Sequence, residues 1–319
     1  MVNLRQPAVG GVSARVRALG LALAFLGGAL VAVQSRINGA LGTRMHNGAV
    51  AALISFGSGL VVLSIVLLAH RGTRSGLAAV RTAVAGRRLV WWQLLGGVSG
   101  AFLVTAQSLA VTAIGVATFT VAVVGGQLLS SLWVDRVGLG PAGRAPITRG
   151  RALGAAIALV AVVIASADGL RADPGSSVLA LLPAVAGFGM AWQQAVNGRV
   201  GAVGGPLVAA FINFAVGTAA LVLAAAVSVL ITGLPAAPPR QPWLYLGGSI
   251  GVLFIAASAV IVGWVGVLLL GLTAIAGQLI GSLLVELVAP TGAGLTALEI
   301  IGCALTLVGV AVAALSRRR

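Results

Sequence analysis

Gly126-Gln127-Leu128-Leu129-Ser130-Ser131-Leu132-Trp133-Val134-Asp135 returns 151 residues later as Gly277-Gln278-Leu279-Ile280-Gly281-Ser282-Leu283-Leu284-Val285-Glu286. The same shift, without a gap, carries Trp92 to Trp243, Gly96 and Gly97 to Gly247 and Gly248, Gly100 to Gly251 and Gly115 to Gly266. Small residues coincide readily in a chain with 46 glycines, but a Trp, a Gln and an acid coinciding at one shift do not. The chain therefore reads as two copies of one unit. The copies also match nearer their starts, where Gln34-Ser35-Arg36-Ile37-Asn38-Gly39 parallels Gln193-Gln194-Ala195-Val196-Asn197-Gly198. Ala51-Ala52-Leu53-Ile54-Ser55-Phe56-Gly57-Ser58-Gly59 likewise parallels Ala209-Ala210-Phe211-Ile212-Asn213-Phe214-Ala215-Val216-Gly217.

Composition sets the solvent of these copies. Mean hydropathy is +1.12. Charged residues make up 8% of the chain, against about 25% in soluble domains. Unbroken apolar runs of about 20 residues, the length that crosses a bilayer as a helix, recur throughout. The alternating ten-residue pattern of a barrel strand is not seen. Ten spans are predicted, at 18–37, 49–69, 91–111, 115–134, 152–169, 176–196, 206–232, 243–262, 265–287 and 294–315. The basic stretch 1–17 followed by an apolar run resembles a signal peptide, but nine more apolar segments favour an uncleaved first span.

The net charge of +15 comes entirely from arginine, in short inter-span segments and at the ends, which argues against nucleic acid as a partner. With the N-terminus inside, sixteen of the twenty arginines fall on the inner side, and only Arg36, Arg44, Arg171 and Arg240 fall outside. This bias predicts a multi-pass protein of the cytoplasmic (inner) membrane with both termini cytoplasmic. The basic, partly amphipathic segment 70–90 is expected to lie along anionic lipid. Five spans per copy is an odd number, so the second copy enters the membrane upside down. The fold class is thus all-α integral membrane, two inverted five-helix repeats, with the first copy at 1–170 and the second at 171–319, including a basic tail 316–319. Inverted repeats are the plan of secondary transporters, whose site between the halves opens alternately to each side.

The motifs resemble the drug/metabolite transporter (DMT) superfamily, and within it the YdcZ-type branch of EamA-like membrane proteins. The resemblance rests on Gln-x-x-x-Asn-Gly closing the first span, Phe-x-x-Gly in the second, Trp-x-x-x-Gly-Gly in the third and Gly-Gln-x-x-x-Ser-x-x-x-Asp in the fourth. It covers nearly the whole chain, in two copies. It implies a ten-helix transporter whose central cavity is lined by the first, third and fourth helices of each half, and implies no particular substrate.

Ionisable groups inside spans are costly and usually functional. Here they are almost confined to Asp135 and Glu286, ending the fourth and ninth spans, and Glu299, opening the tenth. No HExxH, metal-ligand cluster, phosphate loop or nucleophile–base set is present, so neither an enzyme nor a cofactor or metal site is expected. Gln127, Ser131 and Asp135 form one helical stripe, and Gln278, Ser282 and Glu286 its counterpart. One candidate gate gathers Gln34, Asn38, Gln278 and Glu286 at the outer mouth, with Arg36 pairing with Glu286. Another gathers Gln193, Asn197, Gln127 and Asp135 at the inner mouth, with Arg199 pairing with Asp135. The competing reading makes these amides helix caps and the acids interfacial charges. Ser55, Ser58, Thr118, Thr120, Asn213 and Thr218 are candidate cavity-lining residues. This lining suits a small neutral or amphipathic solute, since a bare charge would need a partner. The glycines of Gly96-x-x-x-Gly100 and Gly247-x-x-x-Gly251 read as helix-packing surfaces. Trp91, Trp92 and Trp243, which start their spans, read as interfacial anchors, as do Trp133 and Trp192, with Trp264 as part of a tight turn and Pro183 and Pro206 as first-turn prolines.

The expected function is gradient-driven or facilitated movement of a small metabolite or drug-like solute, as an exporter. A homodimer is left open. The alternative is a membrane scaffold or accessory subunit on a transporter fold, which would have no need of the paired polar stripe.

Overall fold

The computed structural model describes residues 13–140, 147–165, 167, 176–265, 267–290 and 295–315. The N-terminal stretch before Ser13, the inter-copy linker 168–175, Arg144, Gly266 and the tail 316–319 lie outside the described residues, as does the side chain of Asp135. The described residues form eleven α-helices. They are α1 (Ala14–Met45), α2 (Gly48–Ala69), α3 (Arg71–Ala85), α4 (Gly97–Ile114), α5 (Val116–Val137), α6 (Arg149–Ala165), α7 (Ser176–Gly204), α8 (Pro206–Thr232), α9 (Gly247–Val265), α10 (Val267–Val288) and α11 (Ala297–Leu315). Single 3-10 turns, Trp91–Leu94 and Pro242–Tyr245, lead into α4 and α9.

Local chemistry sets the boundaries. Ser13 caps α1 by accepting from the Val16 N–H at 3.4 Å, and Asn47 caps α2 by accepting from Val50 at 3.1 Å. His70 closes α2 and caps α3, its Nδ1 accepting from the Thr73 N–H at 3.2 Å. Gly115 splits α4 from α5 at φ +80°, and Gly205 splits α7 from α8 at φ +86°, a region costly for any residue with a Cβ. Pro206 then occupies the first position of α8, where its missing N–H costs nothing. Two expectations need correction. Pro183 lies within α7, because the helix starts a full seven residues before it. Trp264 belongs to α9, which runs on to Val265.

Six of the described stretches are long and apolar enough to cross a membrane: Ala14–Met45, Gly48–Ala69, Trp91–Ile114, Val116–Val134, Pro206–Thr232 and Leu270–Val288. Large apolar side chains line the outside of the bundle. Leu68, Leu223 and Leu230 are 72%, 70% and 85% exposed, which only a lipid solvent tolerates at this density. The protein is an all-α membrane protein.

Lipid gives helices no hydrophobic reason to associate, so contact depends on close approach at small residues. α1 lies against α10, where a methyl group on Gly28 would overlap the Ala274 carbonyl and one on Gly277 would overlap the Phe25 carbonyl. α5 lies against α7 in the same way, with Gly187 on the Val123 carbonyl and Gly126 on the Ala184 carbonyl. The two sets of residues are equivalent under the sequence correspondence. So are Gly97 on the Asn213 carbonyl (α4–α8) and Gly248 on the Ser55 carbonyl (α9–α2). α2 meets its equivalent α8 through Phe56 and Phe214, stacked with centroids 4.8 Å apart, and α6 meets α11 through Gly154 and Gly309. α3 is amphipathic. It buries Val80 and Ala83 against α7 and α8, where Val200, Val208 and Ala209 join the cluster, and turns Arg71, Arg74 and Arg81 outward.

Replacing Gly248 with valine should force α2 and α9 apart and destabilise the fold by about 1–3 kcal/mol or more. Gly57 has nothing within 4 Å of a Cβ, so Gly57→Ala should be neutral or slightly stabilising. Thermal unfolding in detergent distinguishes the two, and equal midpoints would contradict this packing.

Candidate functional site

The polar side chains gather at the two ends of the bundle. Where α1 ends and α4 ends, Asn38 donates to Gln107 Oε1 at 2.7 Å, and Gln107 Nε2 donates to Ser35 Oγ at 2.9 Å. Gln34 Nε2 donates to the Gly247 carbonyl at 2.9 Å, at the start of α9. Gly247 and Gly251 have no side chain where the amides of Asn38 and Gln34 sit, so the Gln-x-x-x-Asn of α1 lies in the Gly-Gly-x-x-x-Gly groove of α9. At the opposite end, Asn197 and Gln193 of α7 lie against Gly96 and Gly100 of α4. There Asn197 donates to Asn213 Oδ1 at 2.9 Å, while Gln193 is 7% exposed and its Oε1 has no partner.

Glu286 is 1% exposed, and its Oε2 accepts from the Val116 N–H at 2.8 Å, capping the first turn of α5. A carboxylate at this position also meets the positive end of the helix dipole. Two residues on, Thr118 donates to Glu299 Oε1 at 2.7 Å. Glu299 Oε2 in turn accepts from the Thr296 N–H at 2.9 Å, and Thr296 Oγ1 accepts from the Glu299 N–H at 3.3 Å, a capping box for α11. Two buried carboxylates thus hold the start of α5 to α10 and α11.

The remaining candidates are distributed more widely. Gln278 is half-buried on α10, with its backbone against Gly28. Gln127 is half-buried on α5. Ser131 and Ser282 donate to Leu128 and Leu279 carbonyls within their own helices, each at 2.7 Å. Ser58 donates to the Ser55 carbonyl at 2.8 Å, and Ser55 is buried beside Gly247. Thr120 and Thr218 have hydroxyls without protein partners. Arg36 donates to the Ala289 carbonyl at 3.2 Å. Arg199 donates to the Gly138 carbonyl at 2.8 Å and to that of Leu139, at the end of α5. Trp133 is half exposed and stacks on Phe188, and Arg44 lies over Trp243 at 5.6 Å. Among the described residues no group of three or more metal-ligating side chains assembles.

Sequence reading missed Gln107 and gave Glu299 no role. The available signal for Gln107 was a lone amide in the middle of an apolar span, which must find a partner or face water.

Apolar helices packed around buried amides and two carboxylates make this an all-α membrane protein with a polar interior. The chain matches the profile of the family described as "Putative inner membrane exporter, YdcZ" in two stretches, 19–164 and 178–312. It belongs to this YdcZ family of the drug/metabolite transporters. No curated protein matches it.

Because Glu286 caps a buried N–H, Glu286→Gln, which keeps an acceptor, should hold most of the stability. Glu286→Ala should lose about 1–3 kcal/mol, the cost of an unsatisfied buried donor. Thermal midpoints of the two purified variants test this, and an Ala variant as stable as the Gln variant would refute the capping role.

Proposed function

We propose that the protein is a gradient-driven or facilitated exporter of a small neutral or amphipathic solute, working by alternating access between two inverted five-helix repeats. The first repeat comprises α1, α2, α4, α5 and α6, and the second comprises α7 to α11. The observation that carries the reading is the reciprocal docking of each Gln-x-x-x-Asn on the other repeat's Gly-Gly-x-x-x-Gly helix, once at each end of the bundle. Two such interfaces of opposite orientation are what two interchangeable states require. In this reading Asn38, Gln34 and Glu286 belong to the outer mouth, and Gln193, Asn197 and Arg199 to the cytoplasmic mouth. Gln127, Gln278, Ser131, Ser282, Thr120 and Thr218 supply hydroxyls and amides between them. Such a lining favours solutes that hydrogen-bond without bringing an uncompensated charge. The outward arginines of α3, with Arg87 and Arg88 just after it, lie on the cytoplasmic side and contact anionic lipid headgroups.

The test is thermal stabilisation of the detergent-purified protein against a panel of small metabolites and lipophilic compounds. A ligand at 100 times its Kd stabilises the folded state by about 2.7 kcal/mol. The expected result is a stabilising compound whose effect is lost in Gln127→Ala or Gln278→Ala and which the protein moves in proteoliposomes. A well-folded protein that responds to nothing in a broad panel would favour a scaffold that has kept the fold.

A further inference from the structure

The two repeats are not in equivalent states. At the end closed by α1 and α4, Ser35, Asn38 and Gln107 are 1%, 1% and 2% exposed and bonded in one chain. The backbones follow: Gly39 packs on Val111, a methyl on Gly42 would overlap the Ser108 carbonyl, and Thr43 donates to Thr112 at 2.9 Å.

The sequence correspondence carries Ser35 to Gln194, Asn38 to Asn197 and Gly42 to Gly201 on α7, and Gln107 to Ser258 on α9. The pair therefore keeps its chemistry with its members exchanged: Ser–Gln in the first repeat, Gln–Ser in the second. A hydroxyl and a carboxamide each donate and accept, so the bond can form either way round. In this structure Gln194 is exposed, and among the described residues its side chain makes no hydrogen bond. Asn197 bonds sideways to Asn213, and Gly201 faces only Ala209 and Pro206 of the next helix, at 3.7 and 4.0 Å from a Cβ. The exposure of Gln194 is not a lipid contact. The lipid-facing stripe of α7 is Leu181, Val185 and Phe188, and Gln194 lies about 120° around the helix from Phe188. It sits on the flank between Gln193, which abuts Gly100 of α4, and Gly187, which abuts Val123 of α5, and so faces the bundle interior.

We infer that Gln194 and Ser258 form the gate of the cytoplasmic mouth, the exchanged counterpart of the Ser35–Gln107 gate at the outer mouth, and that this structure has the outer gate shut and the inner gate open. The inference rests on the alternating-access reading above. Opening the outer gate lets water reach Ser35, Asn38 and Gln107 as the inner pair leaves water. Similar bonds are lost and made, so the two states can lie close in energy. Gln107 and Ser258 sit on the third helix of each repeat, and each third helix is docked on the first helix of the other repeat. Movement at one mouth is thereby tied to the other.

The experiment uses the full chain with Cys303, its single cysteine, replaced by serine. The rate of disulfide formation in Gln194→Cys/Ser258→Cys is measured in native membranes, alone and combined with Gln107→Ala. Cytoplasmic-side labelling of Asn197→Cys by a membrane-impermeant maleimide is followed in parallel. Cross-linking is expected to occur and to accelerate about fivefold when Gln107 is lost, the effect of weakening the opposing gate by about one hydrogen bond. The labelling rate should fall correspondingly. The exchange Ser35→Gln/Gln107→Ser should return both rates toward the parent. It also serves as the folded variant if Gln107→Ala is unstable, with Ser35→Gln alone as its broken partner. If labelling responds but the 194–258 disulfide never forms, the gate assignment falls and alternating access stands. If cross-linking and labelling are both indifferent to Gln107→Ala and to Ser35→Gln, the alternating-access reading falls with it.

Discussion

The structure depends on helix backbones touching where glycine permits it. In lipid, apolar side chains are as well solvated outside the bundle as inside, so packing must come from van der Waals contact at short range. The α1–α10 seam, built from Gly28 and Gly277, and the α5–α7 seam, built from Gly126 and Gly187, meet that need. Each seam joins a helix of one half of the chain to a helix of the other, so the two halves are interleaved.

The same removal of side chains makes room for the polar groups. Gly247, Gly251, Gly96 and Gly100 leave grooves that amide side chains fill. A buried amide is costly unless it bonds, and three of the four do so. Gln34 does so with a backbone carbonyl, Asn38 with Gln107, and Asn197 with Asn213. The glycine seams cannot slide without steric overlap. The carboxylates have a different task. Glu286 and Glu299 neutralise the start of α5 and tie it to α10 and α11.

Much of this was legible in the chain. Apolar runs of membrane-crossing length foretold α1, α2, α4, α5, α8 and α10, the described helices long and apolar enough to span, because in lipid every backbone polar group must be satisfied within its own segment. The Gln-x-x-x-Asn and Gly-Gly-x-x-x-Gly motifs, the amphipathic arginine-rich segment that became α3, and the shift relating Gln127 to Gln278 all stand in the residue order. The candidate site was legible only as a set of residues. Gln107 escaped notice because it belongs to no repeated motif, its counterpart being Ser258. Trp264 was misjudged because helix ends in an Ala- and Gly-rich apolar chain carry few markers, and Pro183 because a residue seven from the helix start already lies beyond the first turn.

Residue order by itself therefore determined the solvent, the helices and the internal correspondence, since all three follow from composition and spacing along one segment at a time. Which amide meets which partner was decided only by the tertiary structure. Asn38 reaches 69 residues forward to Gln107, Glu286 reaches 170 residues back to Val116, and Gln34 reaches 213 residues forward to Gly247. No local pattern encodes such distances. A buried amide or carboxylate demands a partner, but only the packing of the other helices determines which one is near enough.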